Sequence, residues 1–436
     1  MSVSRRAFLG SSAAVAAATV LPNTVFGANE RVNVCCIGIR GRGSSHIDAF
    51  CGNEASDVVA LCDVDKRVLE GRADQLEQKT GKRPKTYVDM RDAFADDSID
   101  AITIATPNHW HALATVWGCQ AGKDVYVEKP MAHSFWEGQQ VVKAARKYNC
   151  VVQHGTQQRS DANRIRDMKL LHQGEIVGPV VHARGYVYKN GNRYDIGKGK
   201  PGDPPDYLDY NLWLGPAKDR PYLWREGSED GLFVHYNWHW FWDFGNGESG
   251  NQGVHEMDVA AWAANKGLPV RVYSTGGRYK WTDDAETPNT QQIDFTYADG
   301  TMLTFEVRNL GSFPEGCDDA CANSAFGTDG YWVKDRGFFD YQQKSIPIPD
   351  GVETPESKGT FGNFLESVKN RNLDTIHGSP EEAFISCAHI HLGNIAYRLQ
   401  RSLEFDPDAG QFKNDDEANA MLKDYYRDPF VVPEIT

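Results

Sequence analysis

Glycines 38, 41 and 43, interleaved with Arg40 and Arg42, lie between the apolar run Val32–Ile37 and Ser44-Ser45-His46, which opens a helical period. Glycine lets a backbone bend tightly and approach a pyrophosphate, whose charge a helix N-terminus stabilises. The spacing G-x-x-G-x-G departs from the commoner G-x-G-x-x-G and is weak by itself. An acid strengthens it: Asp63 ends the next apolar run 20 residues after Gly43. A carboxylate there accepts hydrogen bonds from both ribose hydroxyls and repels a 2′-phosphate, which favours NAD over NADP. Lys66 and Arg67 stand close enough in sequence to meet a phosphate all the same. The competing reading is a glycine-rich turn that binds nothing.

Two more segments fall at carboxyl ends of apolar runs, where such sheets bind ligands. They are Thr106-Pro107-Asn108-His109-Trp110-His111 and Glu128-Lys129-Pro130. Thr106, Asn108, His109, Glu128 and Lys129 are therefore candidate cofactor contacts. A lysine above a nicotinamide can also hydrogen-bond a substrate hydroxyl and stabilise the alkoxide that forms as hydride leaves. Against this stands a surface lysine before a proline at a helix entry. Further on, His255 is suited to proton transfer near neutral pH, and of its neighbouring acids Asp258 shares its helical face. The run Tyr236–Phe244 is dense in rings; if it is a strand, Trp238 and Trp240 form one platform for the C–H face of a sugar. For any single Trp, core filling is the better reading. Asn251, His255 and Asp258 supply groups for sugar hydroxyls. No metal site is expected. Cys317 and Cys321 are the one cysteine pair to consider for a bridge or a metal, and His389 and His391, at i and i+2, cannot share a helix face.

These residues need elements to position them. A chain of 436 residues exceeds what one core organises, so two domains are expected. Runs at Val32–Ile37, Val58–Cys62, Ala101–Ala105, Val125–Glu128 and Cys150–Gln153 alternate with helical periods such as Val68–Lys79 and His111–Ala121. That alternation predicts a Rossmann-type, doubly wound parallel sheet over residues 31–155. Residues 156–410 read as a substrate domain containing a hairpin about Asp299-Gly300, and 411–436 as a polar tail or docking helix. A net charge of −14 argues against nucleic acid or an anionic membrane surface as partner. Nine cysteines, an odd number sitting mostly in apolar runs, read as small buried hydrophobes. At the N-terminus, Ser4-Arg5-Arg6-Ala7-Phe8-Leu9 and the alanine-rich stretch after it resemble a twin-arginine export signal, with cleavage near Gly27-Ala28. The expected location is periplasmic or otherwise exported, without a stable membrane anchor.

The motifs together resemble the Gfo/Idh/MocA family, which includes glucose–fructose oxidoreductases and inositol dehydrogenases. The matching pieces are Gly38–Gly43 with Asp63, Thr106-Pro107-Asn108-His109, Glu128-Lys129-Pro130 and Gly253-Val254-His255-Glu256-Met257-Asp258. Helices from Phe361 to Asp406 look like the family's close. The resemblance implies an α/β fold: the Rossmann domain plus a C-terminal α+β domain with an open, mainly antiparallel sheet, often used to form oligomers. It also implies a cis Lys129–Pro130 bond, with Lys129 and His255 catalytic. In one place the chain departs from the pattern: the aspartate four residues before the histidine is Asn251, which cannot ionise. The expected activity is NAD-dependent oxidation or reduction of a sugar or polyol. Because free NAD is not expected outside the cytosol, the cofactor should stay bound and be reset in place. The alternatives are NAD-dependent glycoside cleavage by oxidation, elimination, hydration and reduction, and a non-catalytic sugar-binding protein.

Overall fold

The computed structural model describes residues 30–189, 194–311 and 320–436. The export signal, Asn192, Arg193 and Cys317 lie outside the described residues. Strands β1 (Val32–Ile37), β2 (Ser56–Cys62), β3 (Lys85–Tyr87), β4 (Ala101–Ile104), β5 (Asp124–Val127) and β6 (Val152–His154) form one parallel sheet in the order β3-β2-β1-β4-β5-β6. This is the dinucleotide-binding strand order, with its switch point between β1 and β4. β1, β4 and β5 are buried along almost their whole length, as strands covered on both faces must be. The short edge strand β3 has no apolar run and was not legible.

Helix α1 (Arg42–Cys51) starts from the glycine turn and α2 (Lys66–Thr80) from Asp65, whose carboxylate accepts the Arg67 and Val68 amides. α3 (Asn108–Gln120) begins three residues earlier than its apolar period suggested, and almost every residue in it is buried. α4 (Phe135–Lys147) opens with a Ser134/Glu137 capping box.

Among the described residues the second domain holds a ten-stranded sheet. Its centre comprises β7 (Val180–Val187), β8 (Arg271–Gly277), β9 (Thr290–Thr296), β10 (Met302–Arg308) and β11 (Cys321–Gly327), ordered β11-β7-β10-β9-β8. Only β7 and β10 pair in parallel there; the other central pairs are antiparallel. The expected hairpin is β9–β10, with Gly300 at φ +87°. Helices α5 (Gly253–Ala264) and α6 (Pro380–Leu399) pack against this sheet. Two glycines let α5 lie close: a Cβ at Gly185 would sit 2.9 Å from the Glu256 carbonyl oxygen, and one at Gly253 2.9 Å from the Phe305 ring. His389 and His391 are packing residues, bonded to Tyr297 and to the Ala132 carbonyl.

The aromatic run is not a strand. Asn237–Trp240 forms one 3-10 turn, so the side chains do not alternate along one face. After the short helix Asp416–Ala420 the chain docks: Leu422, Phe430, Val432 and Ile435 are buried in the core shared with α3 and α4.

Candidate functional site

The carboxyl ends of β1, β2, β4 and β5 open into a cleft roofed by the second domain. Gly38, Arg40, Gly41, Arg42 and Asp63 line one end, and Thr106, Asn108, Glu128 and Lys129 the other. Gly38 takes φ +76°, and a Cβ there would collide with the main chain at Ala105–Thr106, 2.8 Å away. A Cβ on Gly43 would meet the Gly38 carbonyl oxygen at 2.1 Å, whereas one on Gly41 would meet nothing within 4 Å. Gly38 and Gly43 thus shape the turn, and Gly41 leaves space in front of it. No side chain caps α1; the Ser44 amide donates to the Gly41 carbonyl oxygen at 3.0 Å, and the two amides before it are left to an anion.

Asp63 accepts the Ile39 amide on Oδ2 and the Asp65 amide on Oδ1, each at 2.9 Å. Each oxygen keeps a lone pair for a ribose hydroxyl. Burial raises the Asp63 carboxyl above its usual range, against these two amide bonds. Thr106 Oγ1 and Asn108 Oδ1 are buried at the cleft without partners among the described residues. A glycine cradle, a ribose-binding acid and two orphaned polar atoms along one cleft fit a dinucleotide.

Glu128 is buried, and its Oε1 accepts Arg42 Nε at 2.6 Å and His46 Nε2 at 3.1 Å. Although burial opposes it, these partners hold the carboxyl well below its usual range. Its charge therefore anchors Arg42 beside the glycine turn. The Lys129–Pro130 bond is cis, as the resemblance implied. Lys129 Nζ donates to the Asn251 carbonyl oxygen at 2.7 Å and lies 3.5 Å from Asn251 Oδ1. Burial lowers the Lys129 pKa; Glu128 and Glu248 oppose this, while Arg42 and Lys189 reinforce it. His255 is pushed down to about 3, by burial first and then by the charge on Lys129.

Several expected site residues sit elsewhere. His109 faces away from the cleft, its ring held by the carbonyls of Phe244 and Trp213, and burial pushes it down to about 3. Asp258 is fully buried under Arg159, whose Nε reaches both carboxylate oxygens at 2.9 Å, and under Ser386. Its place three residues beyond His255 puts it under α5, where a charge needs a structural partner. Trp240 is core, against Tyr194, while Trp238 does line the cleft and stacks on His239 at 3.5 Å. Sequence reasoning missed Trp213, His235, Tyr236, His239 and Glu248. His235, Tyr236 and His239 stand in or beside the ring-rich run that was read for its tryptophans. Glu248 sits at i−3 from Asn251, a spacing that pairs side chains on a helical turn.

A segment of the second domain crosses the Asp63 end of the cleft and fastens to the β2–α2 connection. Lys66 N donates to Tyr207 O at 2.9 Å and Asp209 N to Val64 O at 3.0 Å. Asp65 and Leu208 form a β-bridge, the Arg67 guanidinium lies 3.2 Å from the Tyr207 ring centre, and His235 Nε2 is 3.2 Å from Asp65 Oδ2. Arg67 is thereby engaged by Tyr207 and Asp65.

Residues 32–156 match the family model GFO_IDH_MocA, described as oxidoreductase family, NAD-binding Rossmann fold. Residues 168–432 match GFO_IDH_MocA_C2, the oxidoreductase family's C-terminal alpha/beta domain. A glycosyl hydrolase family 109 protein of Shewanella baltica is 35% identical over 127 residues, 28% of this chain and 28% of that protein. An alpha-N-acetylgalactosaminidase of Shewanella oneidensis is 28% identical over 178 residues, 34% of this chain and 39% of that protein. The chain thus spans well under half the length of these curated relatives. Among solved structures, WlbA dehydrogenase from Chromobactrium violaceum, in complex with NADH and UDP-GlcNAcA, superposes with a TM-score of 0.64 at 17% identity, covering 88% of this chain and 99% of that one. Aldose-aldose oxidoreductase from Caulobacter crescentus, complexed with glycerol, gives 0.60 at 16%, covering 86% and 100%. At these identities the solved structures speak to the fold.

Proposed function

The chain belongs to the Gfo/Idh/MocA oxidoreductase family, with an NAD-binding Rossmann domain, and on that premise we propose that it oxidises or reduces a C–OH group of a sugar or polyol. The observation that carries this reading is a half-buried lysine, Lys129, in the same cleft as the Gly38–Gly43 turn. NAD, when bound, supplies the two-electron acceptor. Gly38, Gly41, Gly43 and the start of α1 would hold its pyrophosphate, Asp63 would accept from its ribose, and Thr106 and Asn108 would offer it further polar contacts. Lys129, whose ammonium is weakened by burial, exchanges its bond to the Asn251 carbonyl for one to the substrate hydroxyl and takes its proton. His255 stays neutral and serves as a hydrogen-bond partner to the substrate; a group held near 3 is too weak a base to compete with Lys129. Trp213, Trp238 and Tyr236 give the sugar apolar faces, and Asn251 a polar edge.

The proposal extends to location and assembly: Arg5-Arg6 supports export of the folded protein, and the broad sheet of the second domain supports a homo-oligomer. An exported enzyme keeps its NAD and restores it within the catalytic cycle. The relatives named glycosyl hydrolase family 109 favour a second reading, glycoside cleavage through transient oxidation. Purification from the exported fraction, identification of bound nucleotide and a screen of mono- and disaccharides test both. A sugar that changes reduced-nicotinamide absorbance supports the redox reading. A cleaved product carrying solvent deuterium beside the oxidised carbon, with no net NADH, replaces it with the second. If no nucleotide co-purifies and none binds, a non-catalytic sugar-binding role takes over.

A further inference from the structure

Position 251 cannot ionise, yet the wall that carries it holds a carboxylate. Glu248, in the short helix Gly247–Gly250, is 1% exposed. Its Oε2 accepts Asn251 Nδ2 at 3.0 Å and its Oε1 accepts the Tyr194 hydroxyl at 3.2 Å. Orientation follows. With Nδ2 committed to Glu248, Asn251 turns Oδ1 toward Lys129 Nζ, beside the carbonyl oxygen that already accepts from it. We propose that Glu248 is a positioning residue of this site, carrying the negative charge that position 251 lacks and aiming Lys129 through Asn251. The inference rests on the reading of Lys129 as the proton acceptor.

Lys129 is faced by Glu128 beyond β5, Arg42 on α1, His111 on α3, His154 at the end of β6, Lys189 beyond β7, His255 on α5 and Glu248. Burial and the cations Arg42 and Lys189 favour the neutral amine; the two glutamates favour the ammonium. The Glu128 charge is shared with Arg42 and His46, two groups outside the reacting end. Glu248 instead connects to Lys129 through one amide. A charge placed so sets both the direction of the lysine and the pH at which it loses its proton.

Glu248→Gln keeps the size and removes the charge. Loss of an anion beside an ammonium lowers its pKa, so the limb over which kcat/KM rises with pH should move about one unit lower. Carbon-13 NMR of reductively methylated lysines should show the Lys129 titration moving the same way, without turnover. In the double variant Glu248→Gln/Asn251→Asp the charge returns one helical turn on, and the limb should return toward its original place. A Glu248→Gln protein slower at every pH, with both limb and Lys129 titration unmoved, overturns the inference. If Glu248→Gln fails to fold, Asn251→Asp decides: an added anion must move the Lys129 titration upward, and no movement is fatal. If the NMR titration moves but Lys129→Met keeps the kinetic limb, the coupling stands and the reaction assigned to Lys129 falls.

Discussion

Lys129 and His255 stand out in the sequence as candidates for handling a proton, but which of the two would act is not legible there. Type and spacing give a histidine the better prior for work near neutral pH. Burial beside a lysine reverses this, because the ammonium and the low dielectric both oppose a second positive charge. The resulting pH dependence has a definite sign. A base works when deprotonated, so kcat/KM should rise as pH rises through the lowered Lys129 pKa and then level off, and His255 should add no limb between pH 5 and 8, since it stays neutral there. Lys129→Met should cut turnover by about 10²–10⁴-fold and abolish the rising limb, while NAD binding measured by fluorescence is retained. A limb that survives in Lys129→Met but disappears in His255→Asn would return the base role to the histidine. His109 and Asp258 were misplaced for a related reason. Sequence shows that a polar residue sits on a helix, not whether its side chain turns to the cleft or to a buried partner across the domain.

At the level of elements, the glycine turn and the helix after it make separable claims. Gly43→Ala drives a Cβ into the Gly38 carbonyl, so it should cost at least about 1–3 kcal/mol of stability, seen as a lower urea midpoint. Gly41→Ala has open space around its Cβ and should fold normally, yet weaken NAD binding, because that space belongs to the pyrophosphate. Equal stability loss in the two variants would contradict this division. The C-terminal segment makes another claim. His133 Nδ1 bonds Asp424 Oδ2 at 2.8 Å, and against its burial this carboxylate raises the imidazole to about 9. A raised histidine contributes stability fully below its unfolded pKa and loses it as pH climbs through the folded one. Protease cleavage within residues 421–436 should therefore accelerate as pH rises from about 6.5 to about 9 and level off above it, and His133→Gln should remove that rise. The long apolar elements were legible because burial on both faces writes itself as continuous apolar runs. The edge strand Lys85–Tyr87 and the turn Asn237–Trp240 were not, since neither repeats a period long enough to read.

Across the whole molecule, the two domains meet along the cleft, and most of the second domain's share of its lining comes from segments without a motif. Residues 207–213 had no sequence signal for this place, because they are held by main-chain bonds to the other domain, while in the ring-rich run the sequence pointed to Trp238 but not to His235 or His239. The crossing over the Asp63 end has a kinetic meaning. A dinucleotide held in this cleft would have its sideways exit obstructed while the Lys66–Tyr207 and Asp209–Val64 bonds and the Arg67–Tyr207 stack are intact. Its escape is then timed by local opening of the protein rather than by its own affinity. Chase experiments should give a dissociation rate that is slow and indifferent to competitor concentration, and Tyr207→Ala should hasten it while leaving Asp63 and the glycine turn in place. An unchanged rate in that variant would mean the crossing segment guards nothing. If the rate does rise, residence time in this protein is a property of a hinge, and the nucleotide it holds behaves less as a co-substrate than as a component installed when the chain folds.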